Sequence, residues 1–190
     1  MWNEPCPLLS AGLFAESLRT AGSGRFASAL LAALNTAIAV DHCTVVRVSG
    51  ARASLVGIAS RHSQKVFVEP LDEYVASYSR LAPFVCSLAS TTARQRYGPE
   101  ARSFVIDHAF HHECVSQFFA HPEIIDKLSI AMPGDDAISF LNLYRTTRIG
   151  SFKSDESILV ASVGEFLATL TEMHIRLSSV PAPAVELLHA

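Results

Sequence analysis

The residues in this chain whose types and spacing could do chemistry begin with a histidine-rich run: His108, His111, His112, Glu113, Cys114 and, further on, His121. His108 and His112 stand four apart, so on a helix they share one face, and such a pair can chelate a transition metal. Tetrahedral zinc needs a third and a fourth ligand at matching geometry. His111 points roughly 100° away around the helix and Cys114 lies on another face again. Phe110, Val115, Phe118 and Phe119 read as the packing residues of the segment. The run is therefore expected to be solvent-facing or helix-capping histidines, with no metal held for a purpose. A nucleophilic pairing of Cys114 with a neighbouring histidine is weaker still, because Cys/His pairs meet in space from separate segments. No GxSxG, HExxH, P-loop or GxGxxG pattern occurs, and nothing in the chain meets the requirements of a catalytic site. The expectation is a protein that is not an enzyme and carries no cofactor.

A second set could bind rather than react. Tyr74 and Tyr78 stand four apart, followed by Phe84, Phe104, Phe110, Phe118 and Phe119. Aromatic rings supply burial and a phenol supplies an orienting hydroxyl, which is what small-molecule pockets use. Core packing explains the phenylalanines equally well. Tyr74, Tyr78, Phe84, Phe104 and Phe118 are the candidate ligand-binding residues. A third set lies near the end of the chain: Leu159, Val163, Phe166, Leu170, Met173 and Leu177 recur at spacings of four and three, as in a heptad seam. Ile158, Leu167 and Ile175 lie off that seam and could face the protein's own sheet. That would leave the seam as a homodimer contact.

The elements that must position these sets follow from periodicity. From Gly24 to about Val40, Phe26, Leu30, Leu34 and Ile38 recur every four residues, which predicts an amphipathic helix. A shorter helix is expected over Leu8 to Leu18, closed by Gly22-Ser23-Gly24. Segments 43–48 and 53–58 read as a hairpin across Gly50. Residues 71–88 and 107–120 read as helical, the first bent or divided at Pro83, with a short strand as the alternative for Ser103 to Ile106. Segments 127–132 and 137–145 form a second hairpin around Pro133-Gly134-Asp135-Asp136. Its return strand places large apolar residues in both alternating sets, Ile138/Phe140/Tyr144 and Leu141/Leu143, which predicts cover on both faces. A long helix over 154–177 is expected to start at Ser154 as N-cap, with Asp155 and Glu156 at the positive end of its dipole. The fold class is α+β, a central antiparallel sheet flanked by helices on both faces.

Composition narrows the classes. One core suffices for 190 residues, of which 49% are apolar and 17% charged, so disorder is excluded for most of the length. A net charge of −3 argues against this chain gripping a phosphate backbone. Cys6, Cys43, Cys86 and Cys114 form no CxxC pair, and reduced thiols are expected. The start lacks the basic and apolar regions of a signal peptide, and no apolar run is long enough to span a bilayer, so cytoplasmic localisation with no membrane partner is expected.

The element order resembles a GAF/PAS-like sensory domain. Phe118-Phe119, Asp126-Lys127-Leu128-Ser129, Leu141-Asn142-Leu143-Tyr144-Arg145, Gly150-Ser151-Phe152 and Asp155-Glu156 are similar to the N-terminal domains of LuxR-type transcription regulators. The resemblance implies a bacterial regulatory domain over residues 1–180 that senses a small molecule, dimerises, and relays its state through the last long helix. It also implies that DNA is bound only through a helix-turn-helix domain that is not in this chain. On that reading residues 181–190, opening with Pro181-Ala182-Pro183, are a linker and the start of the further unit. Lactone receptors of that family carry tryptophans and an Asp-Pro pair in the pocket segment; here the one tryptophan is Trp2, and Ala82-Pro83 stands where that pair is sought. Two other classes remain: a stand-alone protein-interaction module without a small ligand, and a metal-dependent enzyme centred on His108 and His112.

Overall fold

A computed structural model describes residues 11–49, 52–61, 104–106, 124–134 and 137–178, the segment 104–106 by its backbone alone. The described elements are a 3-10 turn Ala11–Phe14, helices α1 (Ala15–Arg19) and α2 (Phe26–Leu34), and strands β1 (His42–Ser49), β2 (Arg52–Ser60), β3 (Phe104–Ile106), β4 (Ile124–Pro133) and β5 (Ile138–Thr146). Helices α3 (Ser154–Ser162) and α4 (Gly164–Ser178) follow.

Both hairpins form where turn chemistry separates runs of apolar residues, and together with β3 they make one antiparallel sheet in the order β2-β1-β5-β4-β3. β1 pairs with β5 along its length, Thr44 opposite Asn142 and Val45 opposite Leu141, so strands far apart in sequence form the middle of the sheet. All nine residues of β5 are buried, as its two apolar sets predict. A bulge between Val45 and Val46 leaves Val56 as the extra residue on β2.

Alternation along the strands sends Cys43, Val45, Leu128, Ile130, Met132, Leu141 and Leu143 to one face. There they join Phe14, Phe26, Leu30 and Leu34 with Val160, Leu167, Ala168, Leu170 and Ile175 in a single core. Each large aliphatic or aromatic side chain among them contributes about 2 kcal/mol. The α+β antiparallel architecture is the expected one. The helices expected over 71–88 and 107–120 lie outside the described residues.

The helix expected over Leu8 to Leu18 is, among the described residues, the 3-10 turn Ala11–Phe14 followed by α1. Three further helix expectations differ from what forms. The 24–40 helix ends at Leu34, because the Asn35 side chain takes over the role of backbone. Its Nδ2 donates to the carbonyls of Leu31 and Val40 and its Oδ1 accepts from Val40 N–H, an alternative to continuing the helix. The 154–177 helix is broken into α3 and α4, bent by 59°. Gly164, a weak helix former, opens the second piece, and Ser162 Oγ donates to the Leu159 carbonyl at 2.7 Å just before it. Finally, the N-cap is Lys153, in extended backbone; Ser154 is the first helical residue, and Glu156 reaches back to accept the Lys153 N–H at 2.8 Å.

The break redistributes the heptad seam. Leu170 is 4% exposed and lies in the core, Leu159, Val163 and Met173 pack partly against that core, and Phe166 and Leu177 are 45% and 49% exposed. Leu167 and Ile175 face the core as expected, but Ile158, expected to face the sheet, is 69% exposed. No single described helix is long and apolar enough to cross a membrane.

Candidate functional site

The face of the sheet turned away from the α2/α4 core carries a different chemistry. Register places three rows across its middle strands: His42, Tyr144 and Lys127; Thr44, Asn142 and Ser129; Val46, Phe140 and Ala131. Val48 and Ile138 continue the apolar end. All eleven side chains are buried, and none belongs to the helix-packed core.

Two of these rows are hydrophilic, and burying hydrophilic groups is costly unless each finds a partner. The partners are found along the row. Ser129 Oγ donates to Asn142 Oδ1 at 2.7 Å, Asn142 Nδ2 donates to Thr44 Oγ1 at 3.1 Å, and Thr44 Oγ1 lies 3.3 Å from the Tyr144 hydroxyl. His42 Nδ1 meets Ser60 Oγ at 2.8 Å. Lys127 is 2% exposed, its Nζ 5.5 Å from the centroid of the Tyr144 ring. Burial pushes the Lys127 ammonium well below the usual lysine range, so the amine is far easier to hold neutral here than in water.

The face is thus graded. Hydroxyl, amide, phenol and amine groups gather where β1 begins and β5 ends, and branched and aromatic side chains gather towards the opposite end. Such a surface can hold a molecule with a polar end and an apolar body by hydrogen bonds and burial. It is poorly suited to covalent catalysis, since Ser129 is bonded to an amide that takes no proton. Cys43 points into the core, where burial pushes its thiol up to about 12. Among the described residues no group of three or more His, Cys, Asp or Glu is placed to hold a metal.

A second polar assembly fixes the helices to the end of the sheet. The buried Arg145 guanidinium pairs in bidentate fashion with Glu156, Nη2 to Oε1 at 2.6 Å and Nη1 to Oε2 at 2.8 Å. It also donates to the carbonyls of Ala39 and Ser151 and covers the Phe152 ring at 4.2 Å. Asp126 accepts from the N–H of Lys127 and of Phe152, and Asp41 accepts from Thr146 N–H and Oγ1. Arg145 holds Glu156 below the ordinary carboxylate range, with burial opposing. Asp126, Arg145, Phe152 and Glu156, among the residues that carry the sequence resemblance, therefore serve to anchor α3.

Of the candidate ligand residues, Phe104 lies on β3 opposite Ala131, in register with the apolar row of Val46 and Phe140. Tyr74, Tyr78, Phe84 and Phe118 lie outside the described residues, as do His108 and His112. The polar row itself was not singled out by sequence reasoning. Its signal was available: Asn142 sits in the middle of a strand expected to be covered on both faces, and an amide there must bond to something.

No family model and no curated protein matches this sequence. The fold does find matches. The VqsR LBD domain from Pseudomonas aeruginosa is similar with a TM-score of 0.62 over 87% of this chain and 96% of that one, at 15% identity. CepR2 from Burkholderia cenocepacia, an N-acylhomoserine lactone-dependent LuxR family transcription factor, has a TM-score of 0.49 and 16% identity over 87% and 93% of the two chains. At 15% identity the likeness speaks for the fold alone: this chain has the α+β fold of the VqsR LBD domain.

Proposed function

We propose that this chain is the regulatory, small-molecule-sensing domain of a LuxR-type transcription regulator. The observation that carries the reading is the buried Thr44–Asn142–Ser129 row with Tyr144 and Lys127 beside it, on the side of the sheet away from the helix-packed core. In a fold like that of the VqsR LBD domain, such a face is suited to a ligand with a polar head and an apolar body. Tyr74, Tyr78, Phe84, Phe104 and Phe118 complete the proposed lining. Ligand binding acts by favouring one arrangement of the α3 and α4 helices over another, in a cytoplasmic homodimer whose DNA contact belongs to a helix-turn-helix domain beyond residue 180. With Leu170 committed to the domain's own core, Ile158, Phe166 and Leu177 are the large apolar side chains of these helices left exposed to a partner.

Native mass spectrometry of protein purified from its own host tests this directly. A co-purifying small molecule, lost on denaturation and held less by Thr44→Val or Ser129→Ala protein of unchanged circular dichroism, is the expected result. Protein with no bound molecule, and with no thermal stabilisation by any fraction of a host extract, sinks the sensing reading. It would favour an interaction module instead, for which the mutual bonding of Ser129, Asn142 and Thr44 is the supporting observation.

A further inference from the structure

The close of α4 is fastened to the start of the domain through one imidazole. His174 is buried at 2% exposure, stacked on Phe26 with ring centroids 4.1 Å apart and planes 9° from parallel. Its Nδ1 accepts the backbone N–H of Gly22 at 2.9 Å, and Ser178 Oγ lies 3.4 Å from the same nitrogen. An accepting Nδ1 means that the neutral ring carries its proton on Nε2. Gly22 adopts φ +80, and a Cβ there would sit 2.7 Å from the Leu177 Cβ, so the turn and the last turn of α4 are in intimate contact.

We infer that His174 is an acid-sensitive latch: its neutral ring holds the last turn of α4 on the Gly22 turn, and protonation of Nδ1 releases that turn. The reason is stereochemical. A proton on Nδ1 confronts the Gly22 N–H with a second donor, so the hydrogen bond becomes a clash of like groups. The imidazolium has little else to turn to. The elements around the ring bring Gly22 from the α1–α2 turn, Phe26 from α2, Val56 and Gly57 from β2, and Ser178 from α4. None of these carries a charge. Glu16, Arg19 and Arg25 pair with one another at the surface, and Glu172 and Arg176 neighbour His174 on its own helix. Among the described residues no charged group contributes to the ring's affinity for protons: burial lowers it and the Val56 backbone opposes, although Nε2 makes no hydrogen bond of good geometry with them.

The sign follows. With the latched ring harder to protonate than the released one, the latch is at full strength above the ordinary histidine value of 6.5 and weakens as pH falls below it. The device is a property of the fold and stands whether or not the domain senses a ligand.

Nuclear magnetic resonance on the full chain between pH 8 and pH 4.5 tests it, following the His174 ring and the Gly22 amide. The expected result is one titration seen at both, below the ordinary histidine range, with hydrogen exchange rising over residues 174–178 while β1 and β5 stay protected. In His174→Asn the side-chain oxygen takes the place of Nδ1 and cannot be protonated, so the Gly22 amide should lose its titration. The wild-type measurement stands by itself if that variant does not fold. A ring that titrates without moving Gly22 or residues 174–178, a ring that stays neutral throughout, or loss of the whole sheet together with α4 would each overturn the latch.

Discussion

Asn142 is the residue on which the polar face depends, because it is both donor to Thr44 and acceptor from Ser129. Removing it leaves two buried hydroxyls without that partner, whereas Thr44→Val removes a single hydroxyl and keeps the shape. Asn142→Ala is expected to lower stability by about 3 kcal/mol and Thr44→Val by about 1 kcal/mol, since the first deletes two hydrogen bonds and empties the space of a buried amide while the second deletes one and keeps the shape. Urea denaturation of the two variants measures the difference, and equal losses would show that the row is not a connected unit. Gly22 offers a test independent of polarity. At its positive φ any side chain costs about 1 kcal/mol of backbone strain, and here the new methyl also strikes Leu177. Gly22→Ala should therefore destabilise by more than the strain alone, and adding Leu177→Ala, which keeps the Cβ that the methyl strikes, should not recover the excess. Urea denaturation showing a loss no larger than the strain would mean that the turn shifts away from α4.

At the scale of elements, the junction of β5 with α3 is held by charge in a setting where charge matters. Arg145 is buried and spends its donors on Glu156, Ala39 and Ser151. Losing it leaves Glu156 and two carbonyls without these bonds, so Arg145→Ala should cost about 3 to 5 kcal/mol, and Arg145→Lys should recover only part because an ammonium cannot fork. The pair also sets a pH dependence. Arg145 lowers the Glu156 pKa from its ordinary 4.5, so the folded state binds this proton less readily than the unfolded chain does. The stabilisation is present above pH 4.5 and is lost progressively as pH falls below it. A thermal midpoint that drops below pH 4.5 in the native protein, but much less in Glu156→Gln, is the expected pattern. Parallel curves would show that the pair is not coupled to folding.

For the whole molecule, the bend between α3 and α4 separates what holds the domain together from what is left for a partner. Leu170→Arg places a charge in the core and should abolish the folded circular dichroism signal. Phe166→Arg changes a side chain that is 45% exposed and leans on Phe14, ring centroids 5.1 Å apart. That variant should stay folded, and if the proposed dimer uses this surface, sedimentation should find it monomeric. A folded Leu170→Arg protein would mean that α4 packs elsewhere in solution.

What could be read from the sequence was whatever rests on local rules. Alternation placed both hairpins, and the paired apolar sets of 138–144 announced a strand buried on both sides, because period-two patterning reports directly on two faces. Helix periodicity located α2 and the α3/α4 region but carried on through Asn35 and Gly164. A side-chain amide that caps its own helix, or a glycine that lets one end, leaves the apolar spacing unchanged. For the same reason the seam of Leu159 to Leu177 looked continuous, although the bend sends Leu170 inward and Phe166 outward. The Thr44–Asn142–Ser129 row, the Arg145–Glu156 clamp and the His174–Gly22 contact were decided only by tertiary structure. Thr44 and Asn142 are 98 positions apart and His174 and Gly22 are 152 apart. Nothing in either segment alone fixes which polar group will meet which; that depends on β1 pairing with β5 and on α4 returning to the turn between α1 and α2.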